Sequence, residues 1–328
     1  MAHNHLKDVG QMQRGEVDSQ DLRPDGGEMG HCMVIFGCGY LGRQLARESL
    51  ARGFRVTALT RNAQTAGELR KLGVHSVVEA ELGEDSWHGE IDPSQDYVVN
   101  CVGSFGGGLA GYVKSYLDGQ RSILRWAENG PIGTFVFTSS VSVYPQTDRS
   151  LVSETSSCEG VSDRGALLLA AESIGFSGSD SIGRSFVLRL GGIYGPGRHL
   201  FLDRLRNGDR EFPGEGEAFL NLIHRDDACS AVWAALEAPP EIIGRIHNVS
   251  DCHPAPRQEV VEWLAEKMGV KPPVFIGSPK LSSDTASSRE TPNRRIDNGR
   301  IREELGWEPS YPSFREGYEA LLAENRLS

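Results

Sequence analysis

Apolar residues in this chain fall into short continuous runs, separated by stretches in which they recur every three or four residues. Cys32-Met33-Val34-Ile35-Phe36 is such a run, and glycines follow it at once. Leu41, Leu45, Ala46 and Leu50 then recur at helical spacing until Gly53 closes the pattern. The alternation continues along the chain. It predicts strands over 55–60, 76–78, 97–102, 134–138, 185–190 and 246–249. It predicts helices around 66–72, 112–129, 167–174, 201–207, 225–237, 258–268 and 299–305. Strands apolar on nearly every residue are buried on both faces, as in parallel sheets covered by helices. The expected fold is therefore α/β, a Rossmann-type doubly wound parallel sheet. The regular order breaks after Gly195, which predicts a smaller C-terminal substrate lobe after residue 190. Segments around 219–252 are expected to return to the sheet.

Composition narrows the picture. The chain has 328 residues, 38% hydrophobic and 24% charged, with a formal net charge of -11. An acidic surface repels phosphate backbones, so nucleic acid is not an expected partner. No apolar run reaches the length of a membrane span. Residues 1–30 hold six acidic and three basic residues without apolar periodicity or a signal-peptide core, and read as a disordered polar tail. The six cysteines form no C-x-x-C pair. They read as reduced and structural, consistent with a cytoplasmic protein, and no metal site is expected.

The candidate chemistry begins at Gly37-Cys38-Gly39-Tyr40-Leu41-Gly42. A G-x-G-x-x-G string carries weight here because it follows a predicted strand and opens a predicted helix. Gly37 would allow the tight turn, Gly39 the close approach of a pyrophosphate, and Gly42 the packing of helix on strand. The helix N-terminus, with Tyr40 and Leu41, offers free N–H groups to phosphate. The second strand ends in Thr60-Arg61-Asn62, where an NAD site usually places a carboxylate. Arg61 could fork onto a 2′-phosphate with no carboxylate in that stretch to repel it, so NADP is the expected cofactor and NAD the alternative. Asn100-Cys101-Val102-Gly103 would line the adenosine side.

With these motifs in order, the chain resembles the short-chain dehydrogenase/reductase superfamily, in its extended NAD-dependent epimerase/dehydratase branch, over residues 33–320. The resemblance rests further on Thr138-Ser139-Ser140-Val141-Ser142-Val143-Tyr144 and on Arg189-Leu190-Gly191-Gly192-Ile193-Tyr194-Gly195-Pro196-Gly197-Arg198. Ile223-His224-Arg225-Asp226-Asp227-Ala228 and Leu305-Gly306-Trp307-Glu308-Pro309 complete it. The set is similar to nucleoside-diphosphate-sugar epimerases. The resemblance implies that Thr138, Ser139, Leu190, Gly191, Gly192 and Ile193 pass by the cofactor. It makes Ser140 the active-site serine, turns Arg198, His199 and the 201–212 stretch toward substrate, and suggests a homodimer.

The chain departs from that pattern in two places. The superfamily's Tyr-x-x-x-Lys is missing: counting back from Glu172 puts Leu168 at the Lys place and Arg164 at the Tyr place. The glycines are spaced G-x-G-x-x-G, unlike most extended members. Both features resemble the atypical subgroup, which keeps the fold but lacks the usual tetrad. Two readings stay open. One is an NADP-linked oxidoreductase or epimerase-like enzyme acting on a small anionic or sugar-nucleotide substrate. The other is a non-catalytic NADP(H)-binding sensor or regulatory protein. Recruitment of the cleft for unrelated chemistry is a third. Arg164 is a candidate clamp for an anion or else a surface residue. Tyr144 is a candidate proton carrier or else a residue packed at a strand end. Because the regular pattern starts at the first strand, deleting residues 1–30 should leave the melting temperature unchanged within about 2 °C. A larger drop on thermal unfolding would show that the tail packs on the domain.

Overall fold

A computed structural model describes residues 30–104, 106–176, 180–277 and 292–324. The tail lies outside the described residues up to Gly30. Seven parallel strands form the central sheet: β1 (Cys32–Phe36), β2 (Arg55–Thr60), β3 (Ser76–Glu79), β4 (Gln95–Asn100), β5 (Ile132–Ser140), β6 (Ile182–Leu190) and β7 (Gly244–Val249). Their spatial order is β7-β6-β5-β4-β1-β2-β3. The order reverses at β1, which pairs with β2 on one side and β4 on the other. Open α/β sheets bind ligands in the crevice at such a switch point.

The apolar runs are explained by the two cores. Met33 and Ile35 enter one cluster with Leu41 and Leu45 of α1 (Tyr40–Ala51) and with Ala231 and Val232 of the helix Arg225–Leu236. Val34 and Phe36, one residue out of phase, enter the cluster on the other face with Ile123 and Trp126. Successive strand side chains point to opposite faces, so a strand covered on both sides has no position for a polar residue. The doubly wound sheet follows directly.

Two segments differ from the sequence pattern. The expected helix over 112–129 is composite: α-helix Gly108–Tyr112, a π-turn over Val113–Asp118, then α-helix Gly119–Ala127. The stretch 201–212 does not present its aromatics to the cleft; Phe201 and Phe212 stack at 5.9 Å in a third apolar cluster with Leu264 and Phe314. From His31 onward the described residues pack as one unit. Among them no helix is long and apolar enough to cross a membrane.

The C-terminal segment is pinned by buried acids. Asp227 accepts hydrogen bonds from the backbone N–H of Ser310 at 2.7 Å and of Tyr311 at 3.0 Å. Asp251, 1% exposed, accepts one from His253 N at 3.2 Å. Burial raises the Asp251 pKa from 3.8 to about 8, with Asp227 and Glu316 adding to the shift. A carboxyl with a raised folded pKa binds its proton better in the native state, so stability is lost as pH climbs from about 4 to about 8. Asp251→Asn should therefore raise stability by at least about 1 kcal/mol at pH 8, with the gain shrinking toward pH 4. Urea unfolding of both proteins at the two pH values checks this; an equal gain at both would refute it.

Candidate functional site

A cleft of about 920 Å³ opens at the carboxyl ends of the strands. Its floor is the turn after β1. Gly37 has φ +83, and a Cβ there would stand 2.6 Å from the backbone N and Cα of Val102. A Cβ on Gly42 would stand 2.5 Å from the carbonyl oxygen of Gly37. Both positions are closed to a side chain by backbone. Gly39 is different: its Cβ would meet nothing within 4 Å, and its φ is -76. The cradle is thus tight beneath and open above. The first turn of α1 has no side-chain cap and no acidic residue, so its N–H groups and the partial positive charge remain available to an anion. These features fit a dinucleotide pyrophosphate.

The end of the cleft beside β2 and β3 is charged. Thr60, Arg61, Asn62, Arg43, Glu81 and Lys114 line it. The absence of a carboxylate near Arg61 in the sequence does not carry over to the structure. Arg61 Nη1 lies 3.5 Å from Glu81 Oε1, and Lys114 Nζ lies 3.7 Å from the other Glu81 oxygen. Arg43 pairs with Glu68. Asn62 caps α2 (Ala63–Leu72), its Oδ1 accepting from Thr65 N at 2.8 Å.

Four of the sequence-read polar residues lie outside the cleft lining. Asn100 is fully buried and does not line the cleft; it donates to Gln120 Oε1 at 2.7 Å and accepts from Val102 N at 3.0 Å, shaping the turn that Cys101, Val102 and Gly103 present to the cleft. Tyr144 is also fully buried. It accepts from Arg189 Nη1 at 2.8 Å and donates to Asn248 Oδ1 at 2.7 Å, and burial raises its pKa. A phenol committed on both sides and sealed from the cleft is no proton carrier. Arg164 is exposed outside the cleft lining, its guanidinium 5.3 Å from the Tyr112 ring, while Leu168 is buried in an apolar cluster. His199 is buried at the start of a short helix, Nδ1 2.8 Å from Asp203 Oδ1, and does not line the cleft.

The remaining residues converge. Thr138, Ser139 and Ser140 at the end of β5 line the cleft, as do Leu190, Gly191, Gly192 and Ile193 after β6. Ser139 donates to Glu172 Oε1 at 2.6 Å, and Ser140 Oγ accepts from Ser142 N at 3.1 Å. Arg198 lines the cleft with its guanidinium 5.5 Å from the Tyr40 ring, against which Arg225 also lies at 5.4 Å. Tyr40 donates to Pro196 O at 3.0 Å. Burial pushes the Cys101 thiol up to about 12 and raises that of Cys38, so neither cleft cysteine is a nucleophile at neutral pH. Sequence reading missed Arg43 and Ser104, each one residue beyond a motif it names, and Glu81, Lys114 and Tyr116, which reach the cleft from elements distant in the chain.

Residues 33–250 match the model of the NAD dependent epimerase/dehydratase family. The chain belongs to this family. Protein YeeZ of Escherichia coli K12 is 30% identical over 289 residues, which span 85% of this chain and 96% of YeeZ. The 3-diazoavenalumate denitrifying reductase of a Streptomyces species is 34% identical over 139 residues, 40% of this chain and 45% of that enzyme. UDP-glucuronic acid 4-epimerase of Bacillus cereus, solved with UDP-glucuronic acid and NAD, superposes with a TM-score of 0.74 over 88% of this chain and 97% of its own. At 19% identity that likeness speaks for the epimerase/dehydratase fold alone.

The open space above Gly39 separates folding from binding. Gly39→Ala should leave stability within about 1 kcal/mol of the parent and weaken dinucleotide binding at least tenfold, since the new methyl would occupy the cradle. Thermal unfolding and a cofactor fluorescence titration read the two effects; undiminished affinity would place the pyrophosphate elsewhere.

Proposed function

We propose that the protein is an NADP(H)-linked oxidoreductase with an epimerase-like fold, acting on a small anionic or sugar-nucleotide substrate without a Tyr-x-x-x-Lys pair. The observation that carries this reading is the cleft itself. It runs from three basic residues, Arg43, Arg61 and Lys114, across the glycine cradle to Ser140 and Arg198. In this reading the α1 N-terminus and the cradle hold the pyrophosphate. The basic residues favour a 2′-phosphate over a bare ribose hydroxyl, with Glu81 as the carboxylate that the phosphate displaces. Ser140 hydrogen-bonds the reacting oxygen of the substrate, and Arg198 receives its anionic group. A bound nicotinamide would supply the two-electron chemistry. The sugar-nucleotide option is supported by the UDP-glucuronic acid 4-epimerase likeness, and the reductive direction by the Streptomyces reductase.

A second reading, a non-catalytic NADP(H) sensor, is favoured by one set of observations: Arg164 is exposed, Leu168 is core, and Tyr144 is sealed. Turnover separates the two. Wild-type protein with NADPH and a panel of carbonyl compounds and sugar nucleotides is expected to show slow but saturable consumption of cofactor. Tight binding without any turnover would favour the sensor.

Cofactor choice is tested by titration. NADPH should bind about tenfold to a hundredfold more tightly than NADH, from a charge-assisted contact of about 1.5–3 kcal/mol. Arg61→Ala should remove most of that margin while sparing NADH. Equal affinities in the parent would overturn the NADP assignment.

A further inference from the structure

Reduction of a carbonyl needs a proton at its oxygen, and the places that usually provide one here hold Arg164 and Leu168. The cleft must be searched for another acid. Of its two thiols, Cys38 is buried and donates to Ile35 O at 3.5 Å, and Cys101 is half-buried with its thiol pushed up to about 12 by desolvation. Lys114 is engaged by Glu81 and by Glu84 at 3.3 Å. Ser140 is an aliphatic alcohol, too weak an acid to act alone. Two phenols line the cleft, Tyr40 and Tyr116.

Their hydrogen bonds run in opposite senses. Tyr40 donates its proton to Pro196 O. Tyr116 accepts: Ser104 N–H points at its oxygen at 3.3 Å. Among the described residues no hydrogen bond takes the Tyr116 proton. An N–H bond to the phenol oxygen stabilises negative charge there, which assists proton release, while burial raises the pKa and keeps the group protonated at rest.

The position is also right. Ser104 follows β4, which pairs along its length with β5, and β5 ends at Ser140. The Tyr116 ring lies 6.4 Å from Phe137 of β5 and packs against the cluster that holds Leu168 and Tyr144. The phenol therefore packs against the same apolar cluster as the leucine that replaces the usual lysine. It reaches the cleft through the π-turn over Val113–Asp118, where the consecutive residues Lys114, Ser115 and Tyr116 all line the wall. Such one-turn widenings re-aim side chains within otherwise regular helices.

We propose that Tyr116 is the proton donor of this cleft, acting on a carbonyl oxygen that Ser140 also holds. The carbonyl carbon gains a hydrogen with its electron pair from reduced NADP, the carbonyl oxygen gains the Tyr116 proton, and the phenolate regains a proton from water. This rests on the oxidoreductase reading.

The test uses the full chain with tyrosine labelled with ¹³C at the ring carbon bearing oxygen, Tyr116→Phe to assign the signal, and Tyr112→Phe as a control phenol outside the cleft lining. Saturation with NADPH should shift the Tyr116 resonance. Tyr116→Phe should bind NADPH within threefold of the parent and lose at least about 100-fold in kcat on any carbonyl the parent reduces. Tyr112→Phe should stay within threefold in kcat. A Tyr116→Phe variant as fast as the parent, or a resonance that ignores NADPH, would overturn the donor role and leave the oxidoreductase reading standing. A parent that binds NADPH, shifts the Tyr116 signal and reduces nothing would defeat the oxidoreductase reading, and the donor role would fall with it.

Discussion

Two opposite charges almost without water tie the cleft end of the sheet together. Arg189 of β6 and Glu172 of the helix Asp163–Phe176 meet at 2.6 Å with side chains 5% and 4% exposed. Desolvating such a pair is expensive, and a lone survivor would be worse, by roughly 3–5 kcal/mol. Every remaining donor and acceptor is therefore drawn in. Ser139 of β5 donates to Glu172, and Arg189 also donates to Tyr144, which donates to Asn248 of β7. Three strands and one helix share the network. It also decides which side chains face the reaction. Residues four apart share a helix face, so with Glu172 drawn into the core Leu168 follows it inward. Arg164, eight residues back from Glu172, is turned about 80° round the helix and emerges at the surface near Tyr112.

The cleft divides by charge. One end carries arginines and a lysine already engaged by carboxylates, and the other carries Arg198 beside the aromatic face of Tyr40. An arriving phosphate at the first end would exchange partners with Glu81 rather than meet a free cation. Exposed pairs of this kind cost little to break, typically under about 1 kcal/mol. The glycine floor between the ends is closed by backbone rather than by side chains.

Much of the fold was legible in the chain. The phase of Met33 and Ile35 against Val34 and Phe36 declares a strand covered on both faces, and the glycines after it declare the turn. The family resemblance read from the motifs agrees with the match over residues 33–250. Sequence reading reached the cleft lining where a local motif carries it, as at Gly37 and Gly39 and over 138–140 and 190–193. It failed where a distant partner decides the outcome. Tyr144 is sealed by Arg189 and Asn248, which are 45 and 104 residues away. Asn100 is turned inward by Gln120, and Arg61 meets Glu81 across the 20 residues between two strands. Periodicity reports which face is apolar; it does not report which polar groups will find one another.

The π-turn over Val113–Asp118 is a change of count rather than of chemistry. It takes up one extra residue within a continuous helical path, so the segment before it can rotate while Ile123 and Trp126 after it stay seated in the core. A single inserted or deleted codon at this point would change which of Lys114, Ser115 and Tyr116 face the cleft while Ile123 and Trp126 keep their places. New specificities in this architecture can therefore arise from length variation in one helix, a route that substitution-by-substitution comparison of relatives would overlook.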